Sequence, residues 1–553
     1  MTETRFTFDG QPVAARPGQS LAAALTEAGH RAFRRTAKDA PRGMLCGMGV
    51  CQDCLVTVDG VPNRRACMTK AETGQRVETQ AAFPKLDANA VLPDPAPARI
   101  VSPDVLVIGG GAGGLSAAIA ARSAGADVLV IDERRVGGGQ YYKQAAGGAP
   151  LDAQQAEGAA LLEAAQASGA EILGGVEVWG AFDGPLFLAE VEGAALIARP
   201  KTVIVATGAY ERPAMVPGWT LPGVMTTGAA QTLWRSYRTL PGRRVVVCGS
   251  GPLNLQVALE LAEGGAEVAL VAEAAPSPFG RPLRAARMAA ADPGLTLKGL
   301  SMIRGLRRRG IPVRNATRLV SVEEADGALR ARFAAPGGQE MAVETDVLCM
   351  NMGFEPQNEI LRLLGAGMRY DAAFAQLRCI RSDGMETTVP GVFAVGDCAG
   401  LGGAPAARVE GRIAGRVAAA RTGHGDGYDL FGDQRELARH RRFQRHLWHL
   451  HDIEPRPLDD PATLICRCEE ITLGEALAGY DENPGHVGTL KRGTRIGMGR
   501  CQGRYCGPAA ARLIAAANGE AMNDRSFFAP RVPIKPVSIA AILAAQDALD
   551  ADG

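Results

Sequence analysis

Eight of the twelve cysteines lie in two groups near the ends of the chain, and their spacing constrains the sequence most strongly. The first group is Cys46, Cys51, Cys54 and Cys67; the second is Cys466, Cys468, Cys501 and Cys506. The opening residues lack the charged and apolar segments of a signal peptide, so we expect a cytoplasmic protein. Cysteine groups in a reducing compartment indicate metal centres rather than disulfides.

The spacing within each group favours iron and sulfide. C-x4-C-x2-C followed by a fourth cysteine is typical of [2Fe-2S] clusters, and Gly47 and Gly49 would let the loop take positive φ and bring backbone N–H groups near the cluster. The C-terminal C-x-C and C-x4-C pairs predict a second [2Fe-2S] site, with each pair opening a helix and with arginines at 467, 500 and 504 stabilising its negative charge. Zinc is the alternative at both sites, and a stronger one at the second, because four thiolates also suit tetrahedral zinc.

A glycine-rich turn follows the first linker. A strand over 105–108 leads into Gly109, Gly111 and Gly114, then a helix, then a second strand that ends before Asp132 and Glu133. This is the G-x-G-x-x-G dinucleotide motif in its strand–turn–helix context. The glycines serve the turn, the pyrophosphate approach and helix–strand packing, while Asp132, or failing it Glu133, would bind the ribose. A bound ADP-ribose-like ligand without flavin is the alternative.

Three further segments, at 137–140, 206–208 and 392–397, favour FAD at this site. They resemble the two-dinucleotide flavoproteins that include thioredoxin and glutathione reductases, in which an aspartate such as Asp397 binds the ribityl chain. The resemblance also implies that a helix beginning near Ala404 points its N-terminus at the flavin ring. The other predicted FAD contacts are Ala112, Gly139, Gln140, Thr207, Gly208 and Gly396.

A second strand–turn–helix motif contains Gly249 and Gly251, with Asn254 in place of the third glycine. Glu273 ends the next strand and would favour NAD over NADP, because a 2′-phosphate would meet a carboxylate. The alternative is a dinucleotide fold retained only for packing. Residues 104–420 contain no C-x-x-C or C-x4-C pair, which disfavours disulfide reduction.

Alternating buried strands and helices predict a multidomain α/β and α+β protein. The expected units are a β-grasp ferredoxin domain, a linker, a discontinuous FAD domain, an NAD-like domain, a helical connector and a cluster domain with a proline-rich tail. Their bounds are 1–88, 89–103, 104–225 with 345–420, 226–344, 421–460 and 461–553. The net charge of +1 favours neither nucleic acid nor an anionic membrane, and no apolar run is long enough to span one.

The histidines of the connector admit a metal site or a packed interface helix. His440, His446, His449 and His451 lie in a basic amphipathic segment. No carboxylate or cysteine partner stands nearby in the sequence, so we interpret the segment as an interface or solvated helix.

The order of these units resembles the FAD-dependent iron–sulfur α subunits of amine and imino-acid dehydrogenases. That group includes opine oxidase, hydrogen cyanide synthase, hydroxyproline dehydrogenase and the N-terminal half of sarcosine oxidase α. The phrases at 206–213 and 221–228 look like the group, and the last domain resembles the bacterioferritin-associated ferredoxins.

The resemblance implies a function in electron transfer. A partner flavoprotein β subunit, resembling glycine or D-amino-acid oxidase, would oxidise the C–N bond, and further small subunits and an FMN at the subunit interface occur in the group. This chain would then pass electrons through FAD and two [2Fe-2S] clusters to an acceptor, and it needs no catalytic acid or base of its own. The alternatives are a self-sufficient NADH:acceptor oxidoreductase and a non-catalytic cluster-binding or assembly module.

Overall fold

The computed structural model describes residues 4–84, 96–425, 429–453 and 458–552. Most of the predicted linker, up to residue 95, lies outside these ranges. Residues Arg99–Val101, also predicted as linker, form a strand parallel to Ala194–Ala198. Among the described residues, no helix is long and apolar enough to cross a membrane.

The N-terminal domain is a five-stranded mixed sheet that packs on one helix. Ser20 caps the helix by accepting a hydrogen bond from the backbone N–H of Ala23, which sets its start at Leu21. Apolar side chains of the sheet and helix form its buried core. The strands in sheet order are Gln11–Ala15, Thr4–Phe8, Arg76–Thr79, Leu55–Val58 and Val61–Arg65; the helix is Leu21–Glu27, and Arg34–Arg35 pairs with Pro41–Arg42.

The first dinucleotide domain contains a five-stranded parallel sheet with helices beside it. Its strands are buried Val/Ile/Leu runs, as the sequence predicts for a covered parallel sheet. In sheet order they are Glu171–Gly174, Val128–Asp132, Val105–Ile108, Thr202–Val205 and Val392–Ala394. The helices are Ala112–Ser123, Gly139–Tyr142, Ala153–Ala167, Glu359–Leu363 and Gly403–Arg421, and the antiparallel layer is Val176–Phe182, Leu186–Val191 and Ala194–Ala198. Two short antiparallel strand pairs are Ala209–Glu211 with Phe354–Pro356 and Met368–Asp371 with Gln376–Cys379; only the second is a hairpin.

The second dinucleotide domain repeats this architecture. In sheet order its parallel strands are Val224–Thr226, Val347–Asn351, Arg244–Gly249, Glu267–Glu273 and Val313–Arg314. Its antiparallel layer is Arg318–Ala325, Ala328–Ala334 and Glu340–Thr345, and its helices are Thr227–Tyr237, Pro252–Glu263, Pro282–Ala291 and Pro293–Arg308. The strand at 347–351 belongs to this sheet, although we placed it in the FAD domain, because it pairs with both neighbours along its length.

The connector is one helix, Phe431–Leu450, which packs against Pro282–Ala291. The C-terminal domain follows with strands Leu464–Cys466 and Ile471–Thr472 and helices Leu473–Glu482, Val487–Thr494 and Gly507–Asn518. The last helix, Ile539–Asp552, leaves that domain and packs on the antiparallel layer of the first dinucleotide domain through Ala541, Ala544 and Ala545.

Candidate redox site

The turn at Gly109 to Gly114 is built for close backbone approach. Gly109 has φ of +112°, and a Cβ at Gly114 would lie 1.8 Å from the carbonyl oxygen of Gly109. A Cβ at Gly111 would meet only Gly139, with 3.7 Å to its Cα. The turn therefore needs glycine for its own packing at two positions and leaves room for a ligand at the third.

Asp132 and Glu133 have different surroundings. Asp132 accepts hydrogen bonds from the backbone N–H groups of Gly110 (2.5 Å) and Arg134 (2.6 Å), and burial raises its pKa. Glu133 pairs with Arg65 of the N-terminal domain (2.8 Å) and with Lys535 of the C-terminal segment. Burial would raise the pKa of Glu133, but these two cations lower it to about 2. Glu133 thus connects three parts of the chain.

A cavity of about 860 Å³ adjoins this turn. It also extends to the second dinucleotide domain at Gly251, and the start of helix Gly403–Arg421 faces it through Ala404. Asp397 holds that helix start by accepting hydrogen bonds from the N–H groups of Gly402 (2.8 Å) and Gly403 (2.9 Å). The predicted residues that line the cavity are Gly109, Gly111, Ala112, Asp132, Glu133, Gly139, Gln140, Thr207, Gly208, Gly251, Gly396 and Asp397. Gly114, Gly249 and Glu273 are not among its lining residues.

Some lining residues lie outside the predicted dinucleotide motifs. Met48 and Val50 come from the first cysteine loop, and Arg504, from the second cysteine segment, also lines the cavity. Lys143 is buried in the wall, where its Nζ donates to Gln231 (2.9 Å). Burial, together with the charge of Arg134, lowers the pKa of Lys143 to about 7. Only the tertiary structure brings these residues to one cavity.

The end of the connector helix lies against the second glycine turn. Glu273 accepts hydrogen bonds from the N–H groups of Gly251 (3.1 Å) and Ala275 (2.9 Å), and the ring of His451 lies 3.4 Å from the carboxylate oxygen that faces Gly251. The hydroxyl of Ser250 donates to the carbonyl of His451 (2.8 Å). The position at which Glu273 would meet a ribose is therefore occupied by the end of the connector.

The first cysteine group is buried and paired. Cys46 lies with Cys51, and Cys54 with Cys67, each pair joined by a thiol hydrogen bond. Burial raises the pKa of Cys46, but the bonds from Cys51 and from backbone N–H groups outweigh it and lower the pKa to about 7. Gly47 and Gly49 have φ of +62° and +83°, as predicted for this loop.

The second group has the same arrangement, with Cys466 beside Cys506 and Cys468 beside Cys501. The bond from Cys468 lowers the pKa of Cys501 to about 6. Cys506 caps helix Gly507–Asn518, as predicted, whereas Cys466 ends a strand. The expectation that both pairs open helices was therefore wrong for the first pair, because that segment pairs with Ile471–Thr472 instead.

The pairing fits two-iron clusters. A [2Fe-2S] cluster takes two thiolates on each of two irons, which matches the two pairs of each group. A tetrahedral zinc ion would require all four sulfurs around one point.

Comparison with known proteins assigns the class. Residues 103–423 match the pyridine nucleotide-disulphide oxidoreductase family, and the chain belongs to that family. Residues 1–82 match a 2Fe-2S iron-sulfur cluster binding domain, and residues 467–546 match the sarcosine oxidase A3 domain. The chain is therefore an oxidoreductase with an iron–sulfur domain at its N-terminus.

Its relatives are subunits of larger oxidoreductase complexes. An opine oxidase subunit of Rhizobium meliloti strain 1021 is 33% identical over 347 residues, which cover 62% of this chain and 75% of that protein. In Pseudomonas aeruginosa, hydrogen cyanide synthase subunit HcnB is 31% identical over 61% of this chain and 75% of that protein, while subunit HcnA is 47% identical over 13% of this chain and 71% of its own length. L-Proline dehydrogenase from P. horikoshii, at 20% identity, shares the fold with a TM-score of 0.74 over 98% of this chain and 97% of that one.

Proposed function

We propose that this chain is the electron-transferring subunit of an amine or imino-acid dehydrogenase, with FAD at the first dinucleotide turn and [2Fe-2S] clusters at both cysteine groups. A partner flavoprotein, resembling glycine or D-amino-acid oxidase, would oxidise the substrate, and this chain would deliver the electrons to an acceptor. The observation that carries the proposal is the cavity that adjoins the first turn and is lined from both cysteine regions, by Met48, Val50 and Arg504.

The residues present fit these groups. Gly111 and the start of helix Ala112–Ser123 would hold the pyrophosphate, Asp132 the ribose and Asp397 the ribityl chain. When bound, FAD exchanges two electrons and each [2Fe-2S] cluster exchanges one, so the combination links a two-electron donor to a one-electron acceptor. The N-terminal unit would be a β-grasp ferredoxin, and the C-terminal unit a bacterioferritin-associated-ferredoxin-like domain.

The relatives support a partner. The matching proteins are named as subunits of opine oxidase and of hydrogen cyanide synthase. Two segments of this chain match HcnA and HcnB, which are separate subunits of that synthase. We infer that the two parts are fused here and that the substrate-oxidising flavin lies on another protein of the complex. An FMN at the interface between this chain and that protein would be a further electron carrier.

The competing function is a self-sufficient NADH oxidoreductase. The contact of His451 with Glu273 favours the dehydrogenase subunit, because the ribose-binding carboxylate is already occupied. Anaerobic mixing of the holoprotein with NADH separates the two functions. We expect no flavin bleaching with NADH and rapid bleaching when the partner flavoprotein and its amine are added; rapid bleaching by NADH alone would contradict the proposal.

Isolation from the native host tests the third possibility, a non-catalytic cluster module. We expect co-purified partner chains, bound flavin absorbance, and iron and sulfide in the ratio of two [2Fe-2S] clusters. A purified chain that contains zinc and no flavin would favour the assembly function.

Replacement of one ligand tests the modular assignment. Cys51→Ser should remove the EPR signal of one cluster and leave the other signal and the FAD content near normal, because the two cysteine groups lie in separate domains. Cys379→Ser is a matched control, since its buried thiol stands apart from both groups and donates to the carbonyl of Ile380. Loss of both signals together with FAD in Cys51→Ser would contradict the assignment.

A further inference from the structure

A buried ion pair joins the two cysteine loops. Asp53 lies between Cys51 and Cys54 and is 2% exposed, while Arg467 lies between Cys466 and Cys468 and is 6% exposed. The Nε of Arg467 donates to one carboxylate oxygen of Asp53. The two sites are therefore in direct contact through residues that sit inside their ligand loops.

Other cations complete this contact. Arg34 donates to the second carboxylate oxygen of Asp53 (2.5 Å) and to its carbonyl (3.0 Å). Arg42, also buried, pairs with Glu470 of the C-terminal domain (3.1 Å). Two carboxylates thus face three guanidinium groups, and Asp53 is the anion that contacts both Arg34 and Arg467. Since a buried charge requires a partner, the carboxylate of Asp53 is needed on both sides of the boundary.

Apolar packing holds the same boundary. Tyr505, between Cys501 and Cys506, belongs to one buried cluster with Cys46 and Cys51, and its ring centroid lies 5.4 Å from that of Tyr210. The Tyr505 hydroxyl is buried and has no hydrogen-bond partner within the described part of the chain. Because the residues between the two groups are buried, charges there are screened weakly.

We propose that the two cysteine sites form one electrostatically coupled redox unit, in which Asp53 is a positioning residue and a negative charge that acts on both clusters. The inference rests on the proposed function in that both sites hold [2Fe-2S]. It adds that the reduction of one cluster changes the potential of the other, and that one carboxylate acts on both.

The sign of the effect follows from the charge. Reduction adds a negative charge to a cluster, and the carboxylate of Asp53 opposes it at both sites. Asp53→Asn removes that charge and leaves the arginines, so both midpoint potentials should become more positive. Arg467→Gln removes a positive charge and should move both potentials in the negative direction. If Asp53 only supported the first cysteine loop, its substitution would change the midpoint potential of the first cluster alone.

The test is a redox titration of the full-length holoprotein followed by EPR, with dithionite as the titrant. In the native protein, we expect the signal of the half-reduced sample to broaden or split on full reduction, because two paramagnetic clusters lie close together. Both midpoint potentials should shift in the same direction in Asp53→Asn. Asp39→Asn, which replaces an exposed carboxylate in the same domain, is the matched control and should shift neither.

The outcomes separate this inference from the proposed function. Two cluster signals that add without broadening, or an Asp53→Asn shift in one potential only, would overturn the coupling and leave the proposed function standing. The absence of a second [2Fe-2S] signal would instead refute the cofactor assignment. The native titration needs no substitution, so it decides the question even where Asp53→Asn fails to fold.

Discussion

The two glycine-rich turns share a local design and differ in what reaches them from outside. In the first turn, Asp132 accepts hydrogen bonds from the backbone N–H groups of Gly110 and Arg134. In the second turn, Glu273 accepts hydrogen bonds from the backbone N–H groups of Gly251 and Ala275. Asp132 faces the cavity, whereas Glu273 meets His451.

This difference teaches that the motif specifies a fold and not an occupant. Burial raises the pKa of Asp132. At Glu273 the opposing contacts of His451 outweigh burial, and the pKa falls. A carboxylate whose partner is supplied by the protein does not need a ribose hydroxyl, while one that faces an open cavity can bind it.

The largest expected effect is at the third glycine of the first turn. Gly114→Ala would place a Cβ 1.8 Å from a backbone oxygen, so the helix must move away from the strand. We expect a loss of about 3 kcal/mol in the free energy of unfolding, together with loss of bound flavin. Denaturant unfolding and the flavin absorbance of the purified protein measure both. Retention of full flavin content would show that this turn is not the flavin site.

Substitution of Glu133 tests how much its ion pairs with the N-terminal domain and the C-terminal segment stabilise the protein. Glu133→Gln leaves Arg65 and Lys535 without their shared anion, and we expect a destabilisation of about 3 kcal/mol. Asp127→Asn, a largely exposed carboxylate near the same strand, is the control and should change stability by less than about 0.5 kcal/mol. Equal effects of the two substitutions in urea unfolding would contradict the bridging role.

The pH dependence of stability should also report the pairing of Glu133 with its two cations. The pKa of Glu133 lies near 2 in the folded protein, below its ordinary value of 4.5. The stabilisation is therefore complete above pH 4.5 and is lost as the pH falls toward 2. Part of it is offset at Lys535, because burial lowers the pKa of that ammonium. Melting temperatures of the native protein and of Glu133→Gln should converge in acid; a constant gap would refute the explanation.

At the second turn, Asn254→Ala should have a smaller effect. Its side chain accepts from Thr227 (2.8 Å) and donates to the carbonyl of Asn351 (3.2 Å), so the variant loses two buried hydrogen bonds. We expect a cost of about 1–2 kcal/mol with unchanged flavin content. Loss of flavin in this variant would mean that the two turns do not act separately.

The smallest expected effect is that of His451→Ala, at about 1 kcal/mol. Removal of the ring frees one oxygen of Glu273, while the backbone of the connector still accepts from Ser250. Calorimetry should detect NADH binding by the His451→Ala variant and no NADH binding by the native protein. Saturable NADH binding by the native protein would contradict the proposed difference between the two turns.

Several features of the site could be predicted because they depend on short-range spacing. The cysteine intervals, the positive φ of Gly47 and Gly49 and the strand–turn–helix order are local properties. The partners of Asp53 and Glu273 could not be predicted, because Arg467 and His451 are distant from them in sequence and no spacing rule connects the two positions of either pair. Lys143 gave no signal either, since a lysine in a glycine-rich segment is ordinarily a surface residue.

Short-range spacing in the sequence sufficed to locate the cysteine groups and the glycine turns as candidate redox sites, because those spacings are recognisable without the fold. Tertiary packing alone placed the first turn beside the cavity, set the end of the connector against Glu273, and joined the two cysteine loops through Asp53 and Arg467. The physical reason is that a buried charge takes the nearest partner which folding supplies, and that partner is fixed by packing over the whole chain.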